Sequence, residues 1–198
     1  MTADTADRQK LPPEGKVGGE AWNKAHAGKY MTFKLSQEEY ALEILRVREI
    51  IGLMHITRVP RAREFIRGVI NLRGKVIPVV DLRLKFGMEK VDATDQTVII
   101  VVQCAGQGQD LTMGILVDEV VEVLDIQAGQ IEPPPSFGTS STDMEFILGV
   151  GKADKRVIFL LDIGKVLTTE DAGQISRAAG QPFHIPQDKG GGNEQKLE

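Results

Sequence analysis

A single cysteine, Cys104, stands in a chain of 198 residues, so no internal disulfide can form and a reducing, cytoplasmic setting fits. Histidine is almost as scarce. His26, His55 and His184 are scattered, and no HExxH occurs. That pattern supplies no metal-ligand cluster and no convergent set of reactive groups, so no enzyme and no cofactor are expected. Long apolar runs are missing as well. None approaches the ~18 residues that span a bilayer, and the opening "MTADTADRQKLPPEGK" lacks the apolar core of a secretory signal. Aromatic residues make up only 5% of the chain, which weakens any role that relies on exposed aromatic platforms.

What is present is an ordinary globular balance, 41% apolar and 26% charged, with a net charge of −4. That net hides an asymmetry. Residues 46–85 carry ten Lys/Arg against three Asp/Glu, whereas residues 86–171 carry five against fifteen. Segments of opposite sign suggest separate faces with different partners. The basic segment 46–85 also raises an alternative, a small β-barrel that binds nucleic acid. Its only aromatics, Phe65 and Phe86, lie in apolar contexts unsuited to base stacking. "GVGK" at 149–152 fails as a phosphate loop, because Phe146 stands at the first glycine position and Ala153 at the Ser/Thr position. Cys104, in "VVQCAG", reads as a core residue.

Residues 1–27 and 172–198 are rich in Gly, Pro and charge, and both are expected to be flexible, disordered tails. A short helix is allowed at "IGKVLTTEDA". Between the tails, Val/Ile-rich runs bounded by Gly, Asn, Asp or Pro predict about ten strands, five in each half. The halves match each other. An offset of 73 pairs Leu42 with Ile115, Val47 with Val120, Glu49 with Glu122 and Ile50 with Val123. An offset of 81 pairs Gly68 with Gly149, Val76 with Val157, Ile77 with Ile158 and Asp81 with Asp162. The eight-residue difference falls at "PPPSFGTSSTDMEF". This predicts two related five-stranded units, each closing into a barrel to hide its edges. The unbroken "VIPVV" and "VIFLL" predict strands covered on both faces, one lining their own barrel and one packing on its sister.

The repeat separates folding from function. Asp81 and Asp162 recur at strand ends and are expected to cap the turns that follow. Gly68 recurs as Gly149, and Gly74 is expected to supply positive φ in a hairpin turn. Pro78 lacks a ladder donor, so its strand is expected to be an edge or bulged there. Arg73 faces Asp154 at the 81-residue offset. The fold therefore does not demand arginine at that turn, and either a binding role or a solvated turn residue explains it.

"EEYALEILRVREI" (38–50), "FIRGVINLRGKVIPVVDLR" (65–83), "TVIIVV" (97–102), "GILVDEVVEVL" (114–124) and "IEPPPSF" (131–137) resemble the CheW family of bacterial chemotaxis coupling proteins. The resemblance covers the body, 28–171, and implies a mainly all-β fold of two packed, intertwined five-stranded SH3-like β-barrels with short helices. It implies a non-catalytic adaptor joining the cytoplasmic tip of methyl-accepting chemotaxis receptors to the regulatory domain of the histidine kinase CheA. Such a protein would be monomeric alone and part of membrane-associated arrays with its partners, without membrane insertion or nucleic acid. By the same resemblance, Val47, Glu49, Ile50, Arg73, Ile99, Gly114 and Val123 would bind the receptor helix. Ile99 equally fits simple core packing. Ile131 and Phe137 would meet the kinase, with Phe137 either an anchor in a partner's pocket or a plug of its own barrel.

Overall fold

The Val/Ile-rich runs form strands where the turn residues allow. The structure, a computed structural model, describes residues 17–105, 110–134, 145–153, 155–167, 171, 173–175 and 177. In chain order these give helix α1 (Val17–His26), then β1 (Gly28–Leu35), β2 (Glu38–Glu43), β3 (Val47–Gly52), β4 (Ile66–Leu72) and β5 (Lys75–Asp81). Helix α2 (Leu82–Lys85) follows, then β6 (Val98–Ala105), β7 (Asp110–Val117), β8 (Glu119–Ile126), β9 (Ile131–Glu132), β10 (Ile147–Ala153) and β11 (Arg156–Leu161).

Neither sheet is built from one half of the chain. One runs β8-β1-β2-β11-β10-β9 and the other β3-β6-β7-β5-β4, so each borrows two or more strands from the opposite half. The described strands divide six and five rather than five and five, and the two sheets exchange strands between the halves. The duplication itself is clear in the register. Moving β2 by 73 and β5 by 81 carries the parallel pairs Val79–Gly114 and Val80–Ile115 onto Leu160–Ala41 and Leu161–Leu42. The bulge between Ile66 and Gly68 recurs between Ile147 and Gly149. The hydrogen bond from Asp81 N to Phe65 O, 2.8 Å, recurs from Asp162 N to Phe146 O, also 2.8 Å.

Each sheet closes on itself. After β8 the chain turns through a 3₁₀ segment, Ala128–Gln130, and returns as β9 to pair with β10. After β3 the chain returns at Thr57, which exchanges hydrogen bonds of 2.8 and 2.9 Å with Val69 of β4. We call the β8-to-β9 sheet barrel A and the other barrel B. Both closures pass over a glycine. A Cβ on Gly68, at φ +142, would overlap the Thr57 carbonyl, and one on Gly149 would lie 2.7 Å from the Glu132 carbonyl oxygen. Because Val69 uses its N–H and C=O on Thr57, the Val69–Pro78 pair is a non-bonded one and needs no proline N–H. Strand β5 lies between β4 and β7 and is not an edge strand; the bulged alternative holds, since the β4–β5 register shifts between Ile66 and Gly68 beside Pro78, and pairing with β7 begins only at Val79.

Three apolar clusters hold the fold. One lines barrel A, with Tyr30, Ala41, Ile126, Ile131, Ile158 and Leu160. One lines barrel B, with Ile70, Ile77, Val79, Ile99 and Leu116. The largest is a seam between the barrels and draws Phe33, Leu42, Val80, Ile100, Ile115 and Leu161 from both. Alternate residues of one strand face different clusters, as the unbroken apolar runs predict: Ile158 and Leu160 point into barrel A, Phe159 and Leu161 into the seam. Burying each such side chain contributes roughly 1.5–3 kcal/mol.

The tails need correction at their inner ends. Residues 17–26 form α1, because Trp22 packs against the barrel A cluster. Residues 171, 173–175 and 177 are helical, with Ile175 fully buried in the seam. The remainder of both stretches lies outside the described residues.

Candidate functional site

Edge strand β3 is half-buried at Val47, Glu49 and Ile51 and exposed at the residues between. Opposed residues on neighbouring strands share a face. Val47 and Ile50 oppose Val102 and Ile100 of the seam, so both sit at its rim, where Ile50 is 43% exposed. Val123 opposes the seam residue Met31 on β1 and is 50% exposed. Ile50 and Val123 are counterparts in the repeat, and each leaves a large apolar side chain at a rim of the inter-barrel seam.

Beside this rim lies a depression of about 640 Å³ lined by Arg48, Glu49, Leu72, Arg73, Lys75, Ile77, Gln103 and Thr112. Arg73 Nη2 donates to Glu49 Oε2 at 2.8 Å. The β4–β5 hairpin holds Arg73 out. Both turn residues have positive φ, Arg73 at 52 and Gly74 at 83, and Asn71 Oδ1 accepts from the Gly74 N–H at 2.8 Å. Barrel A repeats the ion pair from a different position: Arg156 Nη2 donates to Glu122 at 2.7 Å, raising the arginine pKa, and Arg156 is the counterpart of Lys75. The fold thus favours a cation opposite this glutamate in both barrels, while position 73 itself is free to vary.

Not every expected site residue lies here. Ile99 is fully buried in barrel B, and Gly114 lies beneath it, where a Cβ would meet Ile99 Cγ2 at 2.6 Å. Both are buried, and neither lines the depression. Ile131 is buried in barrel A, because the closing strand β9 turns it inward, so it is no docking residue. Phe137 lies outside the described residues. The expected structural residues hold their places. Asp81 Oδ1 accepts from Leu84 N at 3.3 Å and Asp81 also pairs with Arg67 at 3.0 Å, while Asp162 Oδ1 accepts from Gly164 N at 3.0 Å. Leu72, Lys75, Gln103 and Thr112 were not foreseen. Only the alternation of β6 and β7 signals the last two, which pair across the strands.

The charged segments are largely tied together rather than kept on separate faces. Arg83 forms a two-pronged pair with Asp118, which raises the arginine pKa, and buried Asp171 accepts from Arg63 at 2.7 Å and Lys85 at 2.6 Å. With Arg46, Arg67 and Arg73 also paired, most of the basic stretch is neutralised. Phe65 and Phe86 pack on the seam. The nucleic-acid alternative finds no support. Cys104 is buried in the seam, its Sγ 3.7 Å from Ile163 O, and burial pushes its thiol up to about 12, so it is no nucleophile. No group of three His, Cys, Asp or Glu among the described residues is placed to hold a metal. None of their helices is long and apolar enough to cross a membrane.

Two strand-exchanged barrels, an apolar rim flanked by an ion pair, and no reactive cluster among the described residues define a protein-docking module. Residues 29–171 match the family model of the CheW-like domain. The chain is 38% identical over 169 residues to the chemotaxis protein CheW of Klebsiella aerogenes, covering 85% of this chain and 96% of that protein. It is 33% identical over 144 residues to the chemotaxis protein CheW of Bacillus subtilis, covering 73% and 89%. It matches the crystal structure of the scaffolding protein TtCheW from Thermoanaerobacter tengcongensis with a TM-score of 0.65 at 36% identity, covering 73% of this chain and 95% of that one. The chain belongs to the CheW-like family, and its role is that of a non-catalytic chemotaxis adaptor.

Proposed function

We propose that this adaptor joins the cytoplasmic tip of methyl-accepting chemotaxis receptors to the regulatory domain of the histidine kinase CheA, within cytoplasmic arrays at the membrane. A receptor helix lies along the seam rim. Val47 and Ile50 cover its apolar stripe, Val123 contributes from the β8 rim, and the Glu49–Arg73 pair fixes its register. The kinase domain meets barrel A and the Phe137 side chain. The observation that carries this reading is the pair of large apolar residues, Ile50 and Val123, left at the seam rim in a protein of this family. Apolar side chains held at a rim by a rigid sheet favour a partner that supplies complementary apolar surface.

The test is a pair of separate pull-downs, one with a receptor-tip fragment and one with the CheA regulatory domain. Ile50→Asp should weaken the receptor complex and spare the kinase complex, while Phe137→Ala should do the reverse. Equal effects on both complexes would refute the division of surfaces.

A further inference from the structure

We infer that the depression beside β3 is a socket for one carboxylate, the side chain of an Asp or Glu on the docked receptor helix, held between Arg48 and Lys75. This rests on the receptor-docking reading and names the chemistry by which barrel B selects its helix. Arg48, Arg73 and Lys75 line the depression together with one carboxylate, Glu49. Glu49 is taken by Arg73 at 2.8 Å. Among the described residues no carboxylate pairs with Arg48 or Lys75, so two positive charges stay uncompensated around a space of about 640 Å³.

Barrel A is the internal control. Its Arg156 stands where barrel B has Lys75, and moving β2 by 73 lays Glu39 on Thr112. The ladders agree, because Lys34 opposes Glu39 as Gln103 opposes Thr112. Arg156 donates to Glu39 at 3.2 Å and to Glu122 at 2.7 Å, so the cation at this position holds two carboxylates. Barrel B keeps the cation and the first glutamate, Glu49, and replaces the second with a threonine. Glu49 turns instead to Arg73, whose counterpart in the sequence is Asp154, and Lys75 is left without a carboxylate. Arg48 adds a further cation where barrel A has Val121. The same frame is satisfied from within in barrel A and is short of a carboxylate in barrel B.

The walls suit an acidic side chain. Gln103 and Thr112 bring N–H and O–H donors, and Leu72 and Ile77 bring apolar surface for an aliphatic stem. Hydrogen bonds from a cation to a carboxylate are the strong ones, about twice a neutral bond. Position along β3 says where on the helix the acid sits. The β3–β6 register shifts between Val47 and Glu49, so Arg48 is the extra residue of a bulge, a device that re-aims a side chain. Ile50 lies two residues on, roughly 6–7 Å along the strand, close to the about 5.4 Å of one helical turn. A helix laid along β3 with an apolar residue on Ile50 therefore brings a residue three or four positions away over Arg48.

Thr112→Glu tests this by giving barrel B the carboxylate that barrel A already holds. The added group should pair with Lys75 and repel the incoming acid. The variant should keep its thermal melt and bind a receptor-tip fragment about tenfold more weakly in isothermal titration. Lys75→Gln should cost about fivefold, and in both variants the affinity should depend less on salt than in wild type. Each Asp and Glu of the fragment is then changed in turn to Asn or Gln. One position, three or four residues from an apolar one, should weaken binding to wild type but not to Thr112→Glu. Lys75 is exposed, so Lys75→Gln carries the test if Thr112→Glu loses its melt. Wild-type affinity in these variants while Ile50→Asp still breaks the complex would overturn the socket and leave receptor docking standing. If Ile50→Asp also binds as wild type does, receptor docking falls and the socket with it. Free glutamate bound by wild type as tightly as the fragment would make the depression a small-molecule site and overturn the assignment too.

Discussion

Gly68→Ala is expected to be among the most damaging single-methyl changes in this protein, although it adds only one carbon. At φ +142 the backbone is outside the range L-residues adopt, which costs about 1–3 kcal/mol on its own. The added carbon would also overlap the Thr57 carbonyl and lie 2.9 Å from Ile56 Cγ2. Thr57 must retreat, and its two hydrogen bonds to Val69 are then lost or lengthened, at about 1 kcal/mol each. The total is about 3–5 kcal/mol, a large part of the ~5–15 kcal/mol that holds a typical domain. For a chain of this size that lowers Tm by about 10 °C or more. Gly149→Ala meets the Glu132 carbonyl at 2.7 Å without the dihedral strain, so it should cost about half as much. Gly129→Ala meets nothing within 4 Å and should be nearly neutral. Urea and thermal melts of the three variants read the order directly. Gly68→Ala within about 1 kcal/mol of wild type, or a reversal of the order, would refute closure of barrel B over Gly68.

Cys104 should resist thiol reagents in the folded protein at pH 8 and react only on unfolding, which labelling across a urea series would show. Burial raises both Cys104, from 9.0, and Tyr30, from 10.0, to about 12. The fold favours their neutral forms, so this stability is complete below pH 9 and is lost as pH climbs from 9 toward 12, by up to ~1.4 kcal/mol per pH unit and group. Cys104→Ala should flatten the loss between pH 9 and 10 in urea melts at fixed pH. Gly114→Ala should overpack Ile99 at about 1–3 kcal/mol, so any loss of receptor binding should come with a lower Tm. Asp171→Asn removes the buried acceptor of Arg63 and Lys85 and should cost about 2–4 kcal/mol in urea melts.

The strands and their twofold repetition were legible because β-rich runs carry their period locally, and offsets of 73 and 81 recur in the ladder residue by residue. The exchange of strands between halves came only with the resemblance and not from the runs themselves, because a run such as "VIFLL" shows two covered faces without saying which sheet covers each. Helix α1 was missed for a related reason. Its composition is that of a tail, and what anchors it, Trp22 seated beside distant Gly149 and the Tyr30 hydroxyl on the His26 carbonyl, is a set of tertiary contacts. At the site, the resemblance named both Glu49 and Arg73, but their ion pair with each other emerges only from the structure, because a strand and a distant hairpin show no contact in the sequence. Ile131 is buried rather than offered to a partner, and Ile99 takes the core packing that was weighed for it. An isoleucine in a strand looks the same facing a groove or a barrel interior, and closure of the barrel, a long-range event, decides between them.

Co-sedimentation with receptor-bearing membranes measures the coupling most directly. Adding this chain should increase the amount of CheA that pellets with the membranes. Arg73→Asp, whose positive φ an aspartate tolerates, should abolish that increase while its thermal melt and its complex with CheA in solution stay close to wild type. CheA that pellets equally with and without the chain, or with Arg73→Asp as effectively as with wild type, would contradict the account.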